Sequence, residues 1–131
     1  MELKEIIIEH LNAGTIREID LRNKDLSGMN LSWADFSNLD LTGANFTGCE
    51  LWHANFSGAT LKNAQFKNAN LQSSKLDNAD LSGANLSNAD LQFASCRNSN
   101  LNCANLSRAE LTGTDFRGTN MNGVIGYRFT F

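Results

Sequence analysis

Proline is absent from this 131-residue sequence, and cysteines and charged residues are few. At the usual frequency of about 5%, a chain of this length would hold roughly six or seven prolines. Proline has no backbone N–H and cannot donate to a hydrogen-bonded ladder. Its complete absence therefore indicates that nearly every backbone N–H is engaged. The length fits one domain with a single core and excludes a large multidomain enzyme.

The three cysteines and the short apolar runs restrict the compartment. Cys49, Cys96 and Cys103 are odd in number and form no CxxC pair, which does not suit a disulfide framework. The longest strictly apolar run, 6–8, is far shorter than the roughly twenty residues that span a bilayer. The first five residues lack the positive region of a signal peptide. We expect a cytoplasmic protein with reduced thiols and no membrane contact.

Charge argues against direct binding of nucleic acid. The formal net charge is -3, which is small and of the wrong sign for neutralising phosphates. Catalytic chemistry is not indicated either. The two histidines, His10 and His53, are expected on different elements, and no nucleophile–base set or metal-ligand spacing occurs. The sequence predicts a protein that is not an enzyme and uses no cofactor, metal or small-molecule substrate.

What the chain does contain is a five-residue repeat. Every fifth position from Leu21 to Met121 gives 21 centres, of which 14 are Leu, 5 are Phe, and the others are Cys96 and Met121. Alanine is usual two residues earlier, and Gly or Asn follows two residues later in 15 of 21 units. A short strand plus a corner suits this period, because Gly and Asn tolerate a positive φ. Single units cannot bury their apolar side chains, so the units must wind and stack.

Two features set the coil at four units, or twenty residues. All five central Phe residues fall on alternate centres, as if on one pair of opposite faces. Six corners lack Gly or Asn, namely Trp33, His53, Ser73, Phe93, Cys103 and Arg108. The first four of these are spaced by twenty residues and form one column. We interpret that column as a corner with a different turn that needs no positive φ. Stacking then places Cys96 inside as an unreactive core thiol and pairs Asp77 with Arg97.

Units such as 84–88, Ala-Asn-Leu-Ser-Asn, resemble the pentapeptide-repeat family over about residues 19–124. The style of composition is similar to that of its small cyanobacterial members. Lys24 and Met29 depart from the expected alanine, and Gly126 breaks the series of centres. The resemblance implies an all-β solenoid, a right-handed quadrilateral β-helix of about five 20-residue coils. Some members mimic duplex DNA and protect type II topoisomerases such as DNA gyrase.

The two ends differ from the repeat. Leu3, Ile6, Ile7, His10 and Leu11 form a helical stripe that Gly14 can end, which predicts a capping α-helix over about 2–13. His10 is interpreted as a packing residue. The predicted divisions are 1–14 for the cap, 15–124 for the β-helix and 125–131 for a strand-like tail. Apolar residues alternate in that tail, either to plug the last coil or to form a homodimer contact; they are Ile125, Tyr127, Phe129 and Phe131.

An unusual corner supplies the candidate binding surface. Trp33, His53 and Phe93 share one column, and Trp52 is adjacent. Aromatic side chains of this kind often anchor a protein partner. The alternative is that they lie flat on their own coils and shield the ladder. Cys103 is also expected to point outward, and we infer no role for its thiol.

The leading hypothesis is a scaffold that binds an unidentified protein through a regular face. DNA mimicry is a second hypothesis. Five coils would form a rod about 25 Å long, and DNA of that length carries about 15 negative charges. Residues 19–124 carry 10 acidic and 8 basic side chains, a net charge of only -2, which argues against mimicry. The third is a purely structural protein.

Overall fold

A short helical cap precedes the repeats. The computed structural model describes residues 1–127. Helix α1 spans Leu3–Ala13, and a 3-10 helix spans Ile16–Glu18. Gly14 ends α1 with φ of 73°, and its N–H donates to Leu11 O at 3.2 Å. The predicted helix is thus present, with its end at the predicted glycine.

The repeats stack with a period of twenty residues. Seventeen parallel bridges join residues twenty apart, from Asp25 with Asn45 to Asn105 with Ile125. Each bridge is isolated, and the described residues contain no continuous strand. The twenty-residue period and the four units per coil are therefore confirmed. Short bridging segments alternate with turns around the whole coil.

The ladder between coils accounts for the missing proline. Leu31 N donates to Glu50 O at 2.7 Å, Trp33 N to Trp52 O at 2.7 Å, and Glu50 N to Met29 O at 3.0 Å. The short polar residue before each centre adds a bond that the sequence did not reveal. The Asp35 carboxylate, for example, accepts the backbone N–H of Ser37 at 2.9 Å and fixes the start of the turn.

The predicted difference between corners is wrong. All six corners without Gly or Asn have φ between 55° and 68°, the same left-handed region that Gly and Asn occupy elsewhere. At Trp33 the turn is held on both sides, because its N–H bonds to the coil above and Ala34 N donates to Leu31 O at 3.1 Å. The ladder fixes the backbone, so any residue at a corner must adopt this conformation.

Phenylalanines fill the centre of the coil stack. Phe36 stacks on Phe56 with ring centroids 5.2 Å apart, and Phe46 stacks on Phe66 at 5.0 Å. The two columns meet edge to face across the interior, as between Phe46 and Phe56 at 5.5 Å. All four rings are fully buried. The two Phe-bearing columns thus oppose each other, as the alternate spacing predicts.

The ends are covered differently. At the N-terminal end, Ile7 of α1 is fully buried against the core, and the Lys4 ammonium donates to Ser27 O. At the other end Tyr127 meets Phe116 edge to face, with centroids 6.0 Å apart. Ile125 instead points outward and is 57% exposed. Phe129 and Phe131 lie outside the described residues, so the choice between plug and dimer stays open.

Candidate functional site

Three of the four predicted aromatic residues come together. Trp33 stacks on His53 with ring centroids 4.1 Å apart and planes 8° from parallel. Trp52 meets His53 edge-on at 5.8 Å. Trp33 and Trp52 remain 70% and 47% exposed. We call Trp33, Trp52 and His53 the aromatic cluster.

Phe93 is separate from the aromatic cluster. Ser73 occupies the coil between His53 and Phe93 in the same corner column. The Phe93 ring lies over Gly113, where an added Cβ would come within 2.5 Å of its Cδ1 atom. Phe93 is 63% exposed and forms an isolated aromatic surface two coils away. The sequence predicts the shared column but not the direction in which each ring leans.

A groove missed by the sequence reading borders the aromatic cluster. Its volume is about 400 Å³, and it lies between α1 and the first coil. Ile8, Leu11, Leu31 and Trp33 line its apolar part, and Arg17 lies at its polar rim. The signal that could have revealed it is the partly apolar outer side of α1, where Ile8 is 40% exposed.

The other residues singled out in the sequence have ordinary surroundings. The half-buried His10 ring lies 2.8 Å from the Thr15 hydroxyl and spans the helix end. Burial holds the Cys96 thiol inside the core and raises its pKa to about 12, as expected for an unreactive thiol. Desolvation also raises the pKa of the buried Cys49 thiol to about 11. Cys103 is exposed, as predicted.

Ion pairs are concentrated away from the aromatic cluster. The Arg97 guanidinium pairs with Asp115 rather than with the predicted partner Asp77, although the backbone N–H of Arg97 does donate to Asp77 at 2.9 Å. Arg117 also pairs with Asp115, at 2.7 Å. Hydrogen bonds from Arg117 and Arg97 hold the pKa of the Asp115 carboxyl well below its usual range.

Within residues 1–127, no group of three potential ligands is placed to hold a metal ion. No helix of that part is long and apolar enough to cross a bilayer. The exposed side chains include aromatic rings, amides, hydroxyls, carboxylates and basic groups on a regular ladder. Such a surface can bind another molecule by stacking, hydrogen bonding and charge.

The fold and this surface define a repeat solenoid whose rigid faces carry side chains at fixed spacing. The chain belongs to the pentapeptide-repeat family. Eight copies of the family's repeat match, over residues 16–52, 25–63, 49–88, 64–95 and 89–125. Proteins of this family adopt a right-handed quadrilateral β-helix and are generally structural or interaction proteins.

Solved structures of the family resemble the chain. A pentapeptide repeat protein from the Arabidopsis thaliana thylakoid lumen is 35% identical, with 78% of this chain and 70% of that one covered and a TM-score of 0.63. QnrB1, a plasmid-mediated fluoroquinolone resistance protein, is 25% identical, with 81% and 68% covered and a TM-score of 0.53. No curated protein matches the sequence. The lumenal relative leaves the compartment of this chain open.

Proposed function

We propose that this protein is a non-enzymatic scaffold that binds another protein through the solenoid face bearing the aromatic cluster. The observation that carries the proposal is the exposure of Trp33 and Trp52 around the stacked His53 ring. Two indoles held at fixed positions on a rigid ladder lose little conformational freedom on binding, which favours their use as anchors. Family membership supports this role and a right-handed winding of the coils. We keep the cytoplasm as the proposed compartment.

Topoisomerase binding by DNA mimicry is the second candidate, and the likeness to QnrB1 favours it. The charge balance of the repeats argues against it, because the ten acidic and eight basic side chains of residues 19–124 leave a net charge of only -2. A supercoiling assay with DNA gyrase separates the two proposals. The scaffold proposal expects no inhibition and no protection at micromolar protein.

A homodimer through the C-terminal end is compatible with either role, since Ile125 is exposed there. Light scattering at tens of micromolar protein tests for this homodimer, and a monomer at that concentration contradicts it.

A purely structural protein, without any partner, is the third proposal.

Affinity capture with three baits tests the scaffold proposal. The baits are the wild-type protein, the double variant Trp33→Ala/Trp52→Ser, and Ile125→Ser as a control that removes an exposed apolar side chain from a different face. We expect at least one specific partner to be retained by the wild type and Ile125→Ser and lost from the double variant. If the double variant keeps every partner, the aromatic cluster is not an interface.

A further inference from the structure

One face of the solenoid carries no lysine or arginine. This face, which we call the acidic face, comprises residues 29–33, 49–53, 69–73, 89–93 and 109–113. It carries Glu50, Asp90 and Glu110 and no Lys or Arg. The faces that begin at residues 19, 24 and 34 carry two, three and three basic side chains. With three acidic and no basic side chains, the face that carries the aromatic cluster is therefore the most negative of the four.

Two of the three carboxylates of the acidic face have neutral hydrogen-bond donors as partners. Asn70 Nδ2 donates to Glu50 Oε2 at 3.2 Å, and Gln72 Nε2 donates to Asp90 Oδ2 at 2.6 Å. None of the ion pairs among the described residues includes a carboxylate of this face. On the other faces, by contrast, Asp20 pairs with Arg22 at 2.9 Å and Asp115 with two arginines. The acidic face thus keeps charge that pairs with no cation among residues 1–127.

Indole, amide and carboxylate groups form a continuous line on this face. Glu50 and Trp52 point outward on either side of the buried Leu51. Trp52 Nε1 donates to Gln72 Oε1 at 3.4 Å, and Gln72 Nε2 in turn donates to the Asp90 carboxylate of the next coil. Adjacent coils are about 4.8 Å apart, so aromatic surface and carboxylate alternate within the reach of one long side chain. Trp33 uses one ring face against His53 and is otherwise open.

We propose that the acidic face binds an arginine-rich, extended segment of another protein. Guanidinium groups stack on indole rings and pair with carboxylates, so one residue type satisfies both features of the face. Lysine pairs with carboxylates but lacks the planar group, which predicts weaker binding. Nucleic acids and anionic membranes carry the wrong charge for this surface. The inference rests on the proposed scaffold role and adds the chemical class of the partner.

Binding of a labelled peptide tests this inference. The probe is a twelve-residue peptide of alternating Arg and Gly/Ser, followed by fluorescence anisotropy at 150 mM salt. Matched peptides carry Lys or Glu in place of Arg. We expect the affinity order Arg, Lys, Glu, with no measurable binding of the Glu peptide.

Two triple variants separate the acidic face from net charge. Glu50→Gln/Asp90→Asn/Glu110→Gln neutralises the acidic face, and we expect about a tenfold loss of affinity for the Arg peptide. The control, Asp20→Asn/Asp40→Asn/Asp80→Asn, removes the same charge from the neighbouring face and should change affinity less than about twofold. Circular dichroism and thermal unfolding verify that both variants fold.

Three outcomes would overturn the inference: equal losses in both triple variants, equal affinity for Arg and Glu peptides, or no binding of the Arg peptide. Concentration-dependent self-association that the acidic-face variant abolishes would instead assign the face to a second copy of this chain. If the Arg peptide fails while Trp33→Ala/Trp52→Ser still loses a captured partner, the scaffold role stands and only the basic partner is excluded. If that variant also keeps all partners, the scaffold role fails as well.

Discussion

Two serines occupy inward positions where the repeat usually has alanine. Ser99 is 3% exposed, and its hydroxyl donates to Cys96 O at 2.6 Å. Ser74 is 1% exposed, and its Oγ atom has no hydrogen-bond partner among residues 1–127. Burying a hydroxyl without a partner is unfavourable, whereas a satisfied hydroxyl contributes modestly to stability. The same substitution should therefore have different effects at the two positions.

Ser74→Ala should raise the free energy of unfolding by about 1 kcal/mol, because it removes an unsatisfied buried hydroxyl. Ser99→Ala is the matched control and should lower it or leave it unchanged, since it removes a satisfied hydrogen bond. Guanidinium unfolding of the wild type and both variants measures the difference. A destabilised Ser74→Ala protein would show that the Ser74 hydroxyl has a partner in solution.

Gly126 ends the series of large central residues for a steric reason. A Cβ added there would lie 2.6 Å from Ser107 Cα and 2.7 Å from Ser107 N, both backbone atoms. Its φ of 79° is also left-handed. No side chain fits this position while the last turn keeps its place.

Gly126→Ala should therefore cost more stability than Gly48→Ala. Gly48 shares the left-handed region, with φ of 68°, but has nothing within 4 Å of an added Cβ. The control should lose only the conformational term of about 1–2 kcal/mol. Thermal unfolding compares the two variants. Equal losses would mean that the chain around Gly126 can shift to accommodate a side chain.

At the scale of one coil, the Phe columns show what a repeat pattern encodes. Alternate spacing predicts two opposed columns, and the structure confirms them as stacked rings. The pattern did not predict the conformation of the corners without Gly or Asn. Their side chains suggested a turn with negative φ, whereas the backbone hydrogen bonds between coils impose a positive φ at every corner. It also missed the pairing of Arg97 with Asp115, since a long flexible side chain reaches beyond its own column.

Phe46 contacts three other rings, so substitutions of Phe46 test this packing. Its centroid lies 5.8 Å from Phe36, 5.5 Å from Phe56 and 5.0 Å from Phe66. Phe46→Ala should cost about 3–5 kcal/mol, because a rigid ladder cannot close the cavity. Phe46→Leu, which restores the commonest central residue, should cost less than about 2 kcal/mol. Chemical denaturation measures both, and similar losses would contradict the cavity explanation.

At the scale of the whole molecule, the twenty-residue period determines which residues share a face of the solenoid. It predicts that Trp33, Trp52 and His53 lie together, which the structure confirms, and it assigns each charge to a face. What it could not supply is the direction of each side chain. Phe93 leans over Gly113, away from the cluster, because only a glycine leaves room for the ring there. The groove beside Trp33 depends on how α1 docks, which no repeat specifies.

The N-terminal end is where the solenoid needs its cap. Backbone N–H groups of Asn30 and Asp35, in the first coil, donate to no backbone carbonyl among the described residues. An open ladder edge of this kind pairs readily with other chains. Helix α1 lies at this end through Ile7, which is fully buried, whereas its neighbour Ile8 is 40% exposed.

Ile7→Asp should undock α1, because a carboxylate cannot be buried there without a partner. We expect a lower melting temperature and growth of scattering mass with concentration, as exposed edges and core associate. Ile8→Asp introduces the same charge one residue away and should leave both measurements close to the wild type. Static light scattering with thermal unfolding makes the comparison. A monomeric Ile7→Asp protein with an unchanged melting temperature would show that the first coil is stable without its cap.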